Sequence, residues 1–245
     1  MSESTIAFVF PGQGSQKVGM LAEAHQQFQS VRDTFEEASQ ALGFDMWDLT
    51  QHGEPDALHL TETTQPVLLS SSVALWRAWQ EQSGASPVIM AGHSLGEFSA
   101  LVCAGALAFA DAVKLVKQRG AFMQTAVPVG EGAMAAIIGL DDSEINRICG
   151  EVAAATGNVV AAVNFNSPGQ VVIAGHTAAV DSAIDALKDA GAKRAMPLPV
   201  SAPFHTDLMR PAGDRLAAAI ADIAITAPQV PVVHNVHAAT ESDPE

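Results

Sequence analysis

The sequence contains no tyrosine, two cysteines and only 12 lysine and arginine residues among its 245. Because Cys103 and Cys149 have no second cysteine or histidine at metal-ligand spacing, we expect neither a zinc site nor a disulfide framework. The few basic residues stand against 27 acidic ones, which gives a formal net charge of −15. A broad basic surface for phosphate backbones is therefore missing, and we expect no nucleic-acid partner.

Long apolar runs are also missing, since no stretch approaches the roughly 20 residues needed to span a bilayer. The N-terminus carries the acidic Glu3 and lacks the basic region of a secretory signal. We therefore expect a cytoplasmic protein with no membrane partner. What the sequence does contain is a globular composition, with 48% hydrophobic and 16% charged residues. Its length suffices for a large domain carrying a smaller inserted one.

The first part of the chain alternates short apolar runs, glycine-rich turns and helical patterns. Residues 6–10 form a run typical of a buried strand and lead into a glycine-rich loop. The patterns at 20–42 and 64–79 predict helices, and proline 66 fits the first turn of the second one. A second strand is predicted at 87–91, and a tight turn joins it to a helix over 97–104. This order predicts an α/β domain with a parallel sheet.

A second group of predicted strands and helices runs from about residue 133 to residue 198. Strands are expected at 133–139, 159–165, 170–174 and 193–198, and helices at 141–155 and 177–190. Asp141 followed by Glu144 resembles a capping box, and the Asn166-Ser167-Pro168-Gly169 turn predicts a hairpin. The order β-α-β-β-α-β is that of a ferredoxin-like unit. We therefore predict a large domain over 1–130 and 200–245 and a small ferredoxin-like subdomain over 131–199.

Ser94 is the candidate nucleophile, because Gly92-His93-Ser94-Leu95-Gly96 fits G-x-S-x-G between a predicted strand and a predicted helix. The glycines permit a sharp turn, and the following helix directs free N–H groups and its dipole toward the hydroxyl. The alternative is that Ser94 only caps the helix.

Three further residues have both a chemical and a structural interpretation. His205, in a loop fixed by two prolines, is the best of eight histidines to serve as base for a serine; the others, His234 among them, have no comparable setting. Arg119 stands at the end of an apolar helical pattern. It is either a cation that stabilises a helix C-terminus or a bidentate clamp for a substrate carboxylate. Gln13 is a polar loop residue or supplies an oxyanion N–H beside that of Leu95.

Together, six segments make the chain resemble the malonyl-CoA:acyl carrier protein transacylases, which are related to acyltransferase domains of polyketide synthases. These segments are Phe10-Pro11-Gly12-Gln13-Gly14-Ser15-Gln16, Thr64-Gln65-Pro66, Gly92-His93-Ser94-Leu95-Gly96-Glu97, Gln118-Arg119-Gly120, Asn164-Phe165-Asn166-Ser167-Pro168-Gly169-Gln170 and Pro203-Phe204-His205. The resemblance spans nearly the whole chain. It implies an α/β-hydrolase-like parallel-sheet domain with an inserted ferredoxin-like subdomain, in agreement with the element order.

The resemblance implies an acyltransferase of type II fatty acid biosynthesis. Such an enzyme transfers a malonyl group from malonyl-CoA to the phosphopantetheine thiol of acyl carrier protein in a ping-pong cycle. Ser94 would carry the malonyl ester, His205 would act as base, and Arg119 would pair with the malonyl carboxylate. No metal or tightly bound cofactor is implied.

Two finer assignments also come from the resemblance. The backbone N–H groups of Gln13 and Leu95 would hold the tetrahedral oxyanion. Phe204 would favour malonyl over methylmalonyl groups, because a large side chain there leaves little space for the extra methyl.

One departure from the family concerns length. Relatives continue several dozen residues beyond the part that matches 231–235, and that segment includes a glutamine whose backbone carbonyl orients the histidine. On this ground we expect the 245-residue chain to be less stable and less active than an extended one.

Two other functions stay open at this point. An α/β-hydrolase-type thioesterase or esterase shares the elbow but needs no cation for a carboxylate. A truncated carrier-protein-binding form with little activity would still meet its acidic partner through a local basic patch. The candidates for that patch are Lys114 with Lys117 and Lys193 with Arg194.

Overall fold

The computed structural model describes residues 5–83, 85–200 and 202–243. The chain forms two compact units, one over Met1–Ala121 with Ala218–Glu245 and one over Phe122–Ala217. The second unit extends further on both sides than the subdomain predicted at 131–199. It does so because side chains from Phe122 to Ala126, and from Ala202 to Ala212, pack on one face of its sheet.

The helices and strands have the following bounds in chain order. They are β1 (Ala7–Phe10), α1 (Ala22–Gln27), α2 (Gln29–Leu42), α3 (Met46–His52), α4 (Pro55–His59), α5 (Thr61–Ser83), β2 (Ile89–Gly92), α6 (Leu95–Cys103), α7 (Phe109–Gln124), β3 (Gly132–Ile138), α8 (Asp142–Thr156), β4 (Val160–Ser167), β5 (Gln170–His176), α9 (Thr177–Asp189), β6 (Arg194–Pro197), a 3-10 helix (Asp207–Met209), α10 (Arg210–Ile220), β7 (Val232–Val233) and β8 (Thr240–Glu241). Within the described residues, no helix has the length and apolar character required to cross a membrane.

The sheet of the first unit has the strand order β1-β2-β7-β8. The first three strands are parallel, and β8 returns antiparallel to β7. The two strands predicted near residues 6–10 and 87–91, and their parallel pairing, are thereby confirmed. Phe10, Met90 and Val232 are buried on one face of this sheet, where they pack with Trp76 of α5.

The helical layer of the first unit differs from the sequence prediction in two places. The helix expected over 20–42 is two helices, because the backbone is extended at Phe28 (φ −114°, ψ 126°). Helix α5 begins at Thr61, so Pro66 lies inside the helix rather than in its first turn. Val31, Phe35 and other apolar residues of α2 pack against α5 in the main core of this unit.

Helix α7 continues five residues past Arg119 and ends at Gln124. Gly120 therefore lies inside the helix, and the interpretation of Arg119 as a cation at a helix C-terminus is wrong. The glycine is required by packing, because a Cβ at Gly120 would lie 2.5 Å from the carbonyl oxygen of Thr61 and from Cα of Glu62. This close approach brings the Arg119 turn of α7 against the start of α5.

The second unit has an antiparallel sheet in the order β4-β5-β3-β6. This is the arrangement of a ferredoxin-like unit, and β4 and β5 form the expected hairpin with Gly169 in a left-handed conformation (φ 75°). The capping box is wrong: the Asp141 side chain makes no capping hydrogen bond. Glu144 instead accepts from Arg147, over 2.6 Å.

Candidate active site

Ser94 lies on a sharp turn between β2 and α6, with φ 51° and ψ −105°. Glycine is required on both sides of it. A Cβ on Gly92 would lie 1.9 Å from the backbone carbon of Gly96, and one on Gly96 would lie 2.2 Å from the carbonyl oxygen of Phe10. The start of α6 therefore packs directly on the ends of β1 and β2. Although Ser94 occupies the N-cap position, its side chain makes no capping hydrogen bond.

Arg119 brings a positive charge to the Ser94 hydroxyl. Its Nη2 donates to Ser94 Oγ over 3.2 Å, and its Nη1 donates to Gln65 Oε1 over 2.7 Å. The guanidinium also lies 5.4 Å from the centre of the Phe98 ring. Burial lowers the pKa of Arg119 to about 10, while the carboxylate of Glu97 acts in the opposite direction. The side chain therefore remains cationic at neutral pH.

Leu95 is the first residue of α6 and is buried, with 1% of its surface exposed. A backbone N–H at this position has no acceptor within its own helix. The helix dipole adds positive potential at the same end. Both effects favour a negative charge that develops beside Ser94 Oγ, as in an oxyanion hole.

The glycine-rich loop after β1 runs along the elbow. A Cβ at Gly12 would lie 2.6 Å from the carbonyl oxygen of His93, so the two backbones are in close contact. The loop is held by Gln16, which is buried and whose Oε1 accepts from the N–H of Gly14 over 2.8 Å. Gln13 is thus part of a fixed loop next to the elbow, and its side chain is half-buried.

Residues at the end of β7 complete this region, although the sequence did not single them out. The parallel register pairs Met90 with Val232 and Ala91 with Val233, so the residues that follow β7 emerge beside the elbow. Asn235 Oδ1 accepts from the N–H of Ser94 over 2.9 Å. The only sequence signal for this contact was the general match of 231–235 to the family.

His205 belongs to the second unit, whereas Ser94, Leu95, Arg119 and the Gln13 loop belong to the first. It lies between β6 and the 3-10 helix, is exposed, and has a positive φ of 65°, which is uncommon for residues other than glycine. The preceding Phe204 is buried in the cluster that covers one sheet face of this unit. Across the described residues, no three or more histidine, cysteine or acidic side chains are grouped so as to hold a metal ion.

Comparison with known proteins identifies the family. A model of the acyl transferase domain matches residues 7–245. The malonyl CoA-acyl carrier protein transacylase of Salmonella typhimurium is 62% identical over 237 residues, which cover 97% of this chain and 76% of that protein.

Solved structures agree with this assignment. The malonyl CoA-acyl carrier protein transacylase of Coxiella burnetii is 55% identical with a TM-score of 0.96, over 98% of this chain and 75% of that one. A malonyl transacylase in complex with its type II PKS acyl carrier protein is 56% identical with a TM-score of 0.95, over 98% and 77% of the two chains. The α/β fold with a ferredoxin-like subdomain is thereby confirmed. The chain belongs to the malonyl CoA-acyl carrier protein transacylases, within the acyl transferase domain family.

Proposed function

We propose that this chain transfers the malonyl group from malonyl-CoA to the phosphopantetheine thiol of acyl carrier protein in fatty acid biosynthesis. The contact between Arg119 and Ser94 Oγ, 3.2 Å long, carries the proposal. One methylene separates the carboxylate of a malonyl group from its thioester carbonyl. A nucleophile for the carbonyl and a cation for the carboxylate must therefore be close neighbours, as these two side chains are.

In the first half-reaction, Ser94 Oγ attacks the thioester carbonyl and His205 takes the hydroxyl proton. The carbonyl electrons move to an oxyanion, which the backbone N–H groups of Leu95 and Gln13 hold. When the tetrahedral intermediate collapses, the C–S bond breaks and the CoA sulfur leaves with the proton from His205. The product is a malonyl ester on Ser94. The role of His205 rests on the family likeness, and that of Leu95 on its place at the start of α6.

In the second half-reaction, the carrier thiol replaces CoA. His205 takes the thiol proton, the sulfur attacks the ester carbonyl, and the C–O bond to Ser94 breaks as the proton returns to Oγ. Throughout, Arg119 pairs with the malonyl carboxylate. The guanidinium has five N–H donors and uses two of them for Ser94 and Gln65, so donors remain for the substrate.

The position of Arg119 also favours malonyl transfer over the thioesterase alternative. A thioesterase needs the elbow and a path for water, but it has no need of a guanidinium bonded to its nucleophile. Burying this cation costs desolvation free energy, and a neutral acyl group has no carboxylate to pair with it. The proposed reaction requires no metal or tightly bound cofactor.

The proposed partner is an acidic carrier protein, and the proposed compartment is the cytoplasm, as the sequence predicts. On a chain with a net charge of −15, the carrier must meet a local basic surface. Lys114 on α7 and the Lys193-Arg194 pair at β6 are exposed and stay candidates for it. Lys117 is half-buried and lies over the Phe44 ring, with Nζ 5.2 Å from the ring centre.

The experiment that tests the function follows radiolabelled malonyl-CoA onto the protein and then onto holo acyl carrier protein. The wild-type chain should acquire the label and pass it on. Ser94→Ala should abolish labelling, His205→Ala should leave only slow labelling, and the exposed control Ser182→Ala should behave as wild type. Label on Ser94→Ala protein, mapped to another residue by mass spectrometry, would reject the nucleophile. Label that is released to water rather than to the carrier would favour the thioesterase.

A further inference from the structure

The backbone of Ser94 has a conformation that needs support. Its φ of 51° lies in the left-handed region, which residues with a Cβ seldom adopt. Such a conformation persists only where neighbouring groups hold it. The flanking glycines make the turn sterically possible, but they form no side-chain bonds that would stop it from relaxing.

Asn235 makes the bonds that hold this turn. Its Oδ1 accepts from the N–H of Ser94 over 2.9 Å, and its Nδ2 donates to the carbonyl oxygen of Gly92 over 2.7 Å. The single side-chain amide thus joins the backbone groups on both sides of His93. The two partners also settle the orientation of the amide, because an N–H requires its oxygen and a carbonyl requires its nitrogen.

Glu97 and His234 fix Asn235 in turn. Glu97 Oε2 accepts from the backbone N–H of Asn235 over 2.9 Å and also contacts its Nδ2. The other oxygen, Oε1, lies 2.7 Å from Nδ1 of His234, so that ring nitrogen carries the proton. The side chains of Glu97 and His234 are 19% and 23% exposed. The carboxylate is therefore largely screened from water, and it holds the exposed Asn235 through two bonds.

The loop between β7 and β8 places Asn235 beside the turn at Ser94. Strand β7 pairs with β2, and the following loop turns back to β8 through a hydrogen bond from the N–H of His234 to the carbonyl of Ala239 over 3.0 Å. Ala238 adopts a positive φ of 49° in that turn. Because both ends of the loop are tied to the sheet, Asn235 is held by backbone bonds as well as by Glu97.

We propose that Asn235 is a positioning residue that holds Ser94 in its strained conformation by bridging the Gly92 carbonyl and the Ser94 N–H, with Glu97 and His234 as its support. The inference rests on the proposed function, in which Ser94 is the nucleophile. Asn235 acts through Ser94 and needs no contact with substrate. Without it the turn relaxes, and Oγ leaves its alignment with Arg119 and the start of α6. Acylation slows, while the groups that bind malonyl-CoA stay in place.

The test is single-turnover acylation of the chain by radiolabelled malonyl-CoA in a rapid-quench instrument. A displacement of about 1 Å costs roughly a hundredfold in rate, so Asn235→Ala should acylate about 10- to 100-fold more slowly. The malonyl-CoA concentration at half-maximal rate should change by less than about twofold, because only the chemical step is affected. The control Asn146→Ala, an exposed asparagine on α8, should acylate as the wild-type chain does.

A second variant decides the matter if Asn235→Ala fails to fold. Asn235→Asp keeps an acceptor for the Ser94 N–H but sets a carboxylate against Glu97, which also contacts His234. A further charged group at Ser94 is Arg119, which donates to Oγ. The Glu97 carboxylate raises the pKa of the new carboxyl. When protonated, that carboxyl donates as the amide does. The acylation rate of Asn235→Asp relative to wild type should therefore rise as the pH falls from about 8 to about 6.

Two results would overturn the inference: acylation of Asn235→Ala within about threefold of wild type, or a rate ratio for Asn235→Asp that does not change with pH. Both presuppose a wild-type chain that is labelled on Ser94. If the wild-type chain takes no label, or takes it elsewhere, the proposed function fails first and the inference falls with it. The site of the wild-type label therefore distinguishes the two failures.

Discussion

Replacing Arg119 by methionine should change the acyl selectivity of the enzyme rather than only its rate. The variant keeps much of the side-chain volume and loses both the bond to Ser94 Oγ and the bond to Gln65 Oε1. Those losses affect the nucleophile with any acyl group. Only an acyl group that ends in a carboxylate also loses its ion pair.

The size of this effect follows from the burial of the guanidinium. Removing one partner of a buried, hydrogen-bonded charge pair costs about 2 to 5 kcal/mol. At 1.4 kcal/mol for each tenfold change, this is a factor of about 30 to 4,000. Because burial lowers the pKa of Arg119 only to about 10, the guanidinium is cationic at neutral pH, as the proposed ion pair with malonyl requires. Malonyl transfer should therefore fall by about this factor relative to acetyl transfer.

The assay compares kcat/KM for malonyl-CoA and acetyl-CoA, with holo acyl carrier protein as acceptor, in wild type and in Arg119→Met. The ratio of the two values removes the effects common to both substrates. Arg147→Met is the matched control, since this exposed arginine of α8 pairs only with neighbours on its own helix among the ion pairs described. Equal losses for the two acyl groups would show that Arg119 supports the fold or the nucleophile and does not read the carboxylate.

Two other substitutions test the residues around Ser94 and Arg119. Gln65→Glu places a carboxylate 2.7 Å from Arg119, where it competes with the carboxylate of the substrate. KM for malonyl-CoA should therefore rise by about 10- to 100-fold, the range of a charged hydrogen bond. An unchanged KM would contradict this expectation. Gly96→Ala puts a Cβ 2.2 Å from the Phe10 carbonyl oxygen and should lower the free energy of unfolding by about 1 to 3 kcal/mol or more. Gly150 is a helical glycine with open space around it, so Gly150→Ala should be about 0.5 to 1 kcal/mol more stable than wild type in thermal denaturation. If both variants change stability alike, close packing at Gly96 is not the cause of its loss.

The interpretation of Arg119 shows where local patterns mislead. Its neighbour Gly120 looks like a helix end in the sequence, because glycine commonly follows the last turn of a helix. In the structure the same glycine lies in mid-helix, where it admits the backbone of Thr61 and Glu62. A residue type that serves both purposes cannot be assigned without the partner helix. The break at Phe28 was missed for a similar reason, since the apolar spacing continues through it.

The sequence by itself determined the elements whose causes are local. The strand, tight turn and helix around Ser94, the hairpin at Pro168-Gly169 and the ferredoxin-like order all follow from apolar periodicity and turn residues within short windows. The six motifs also identified the family before any coordinates. Tertiary structure alone decided which distant side chains meet Ser94. Arg119 of α7 and Asn235 of the loop after β7 contact Ser94, and Gln65 of α5 contacts Arg119, over separations of 25 to 141 positions. Helix packing and strand register place these residues, and neither leaves a repeating pattern in the chain.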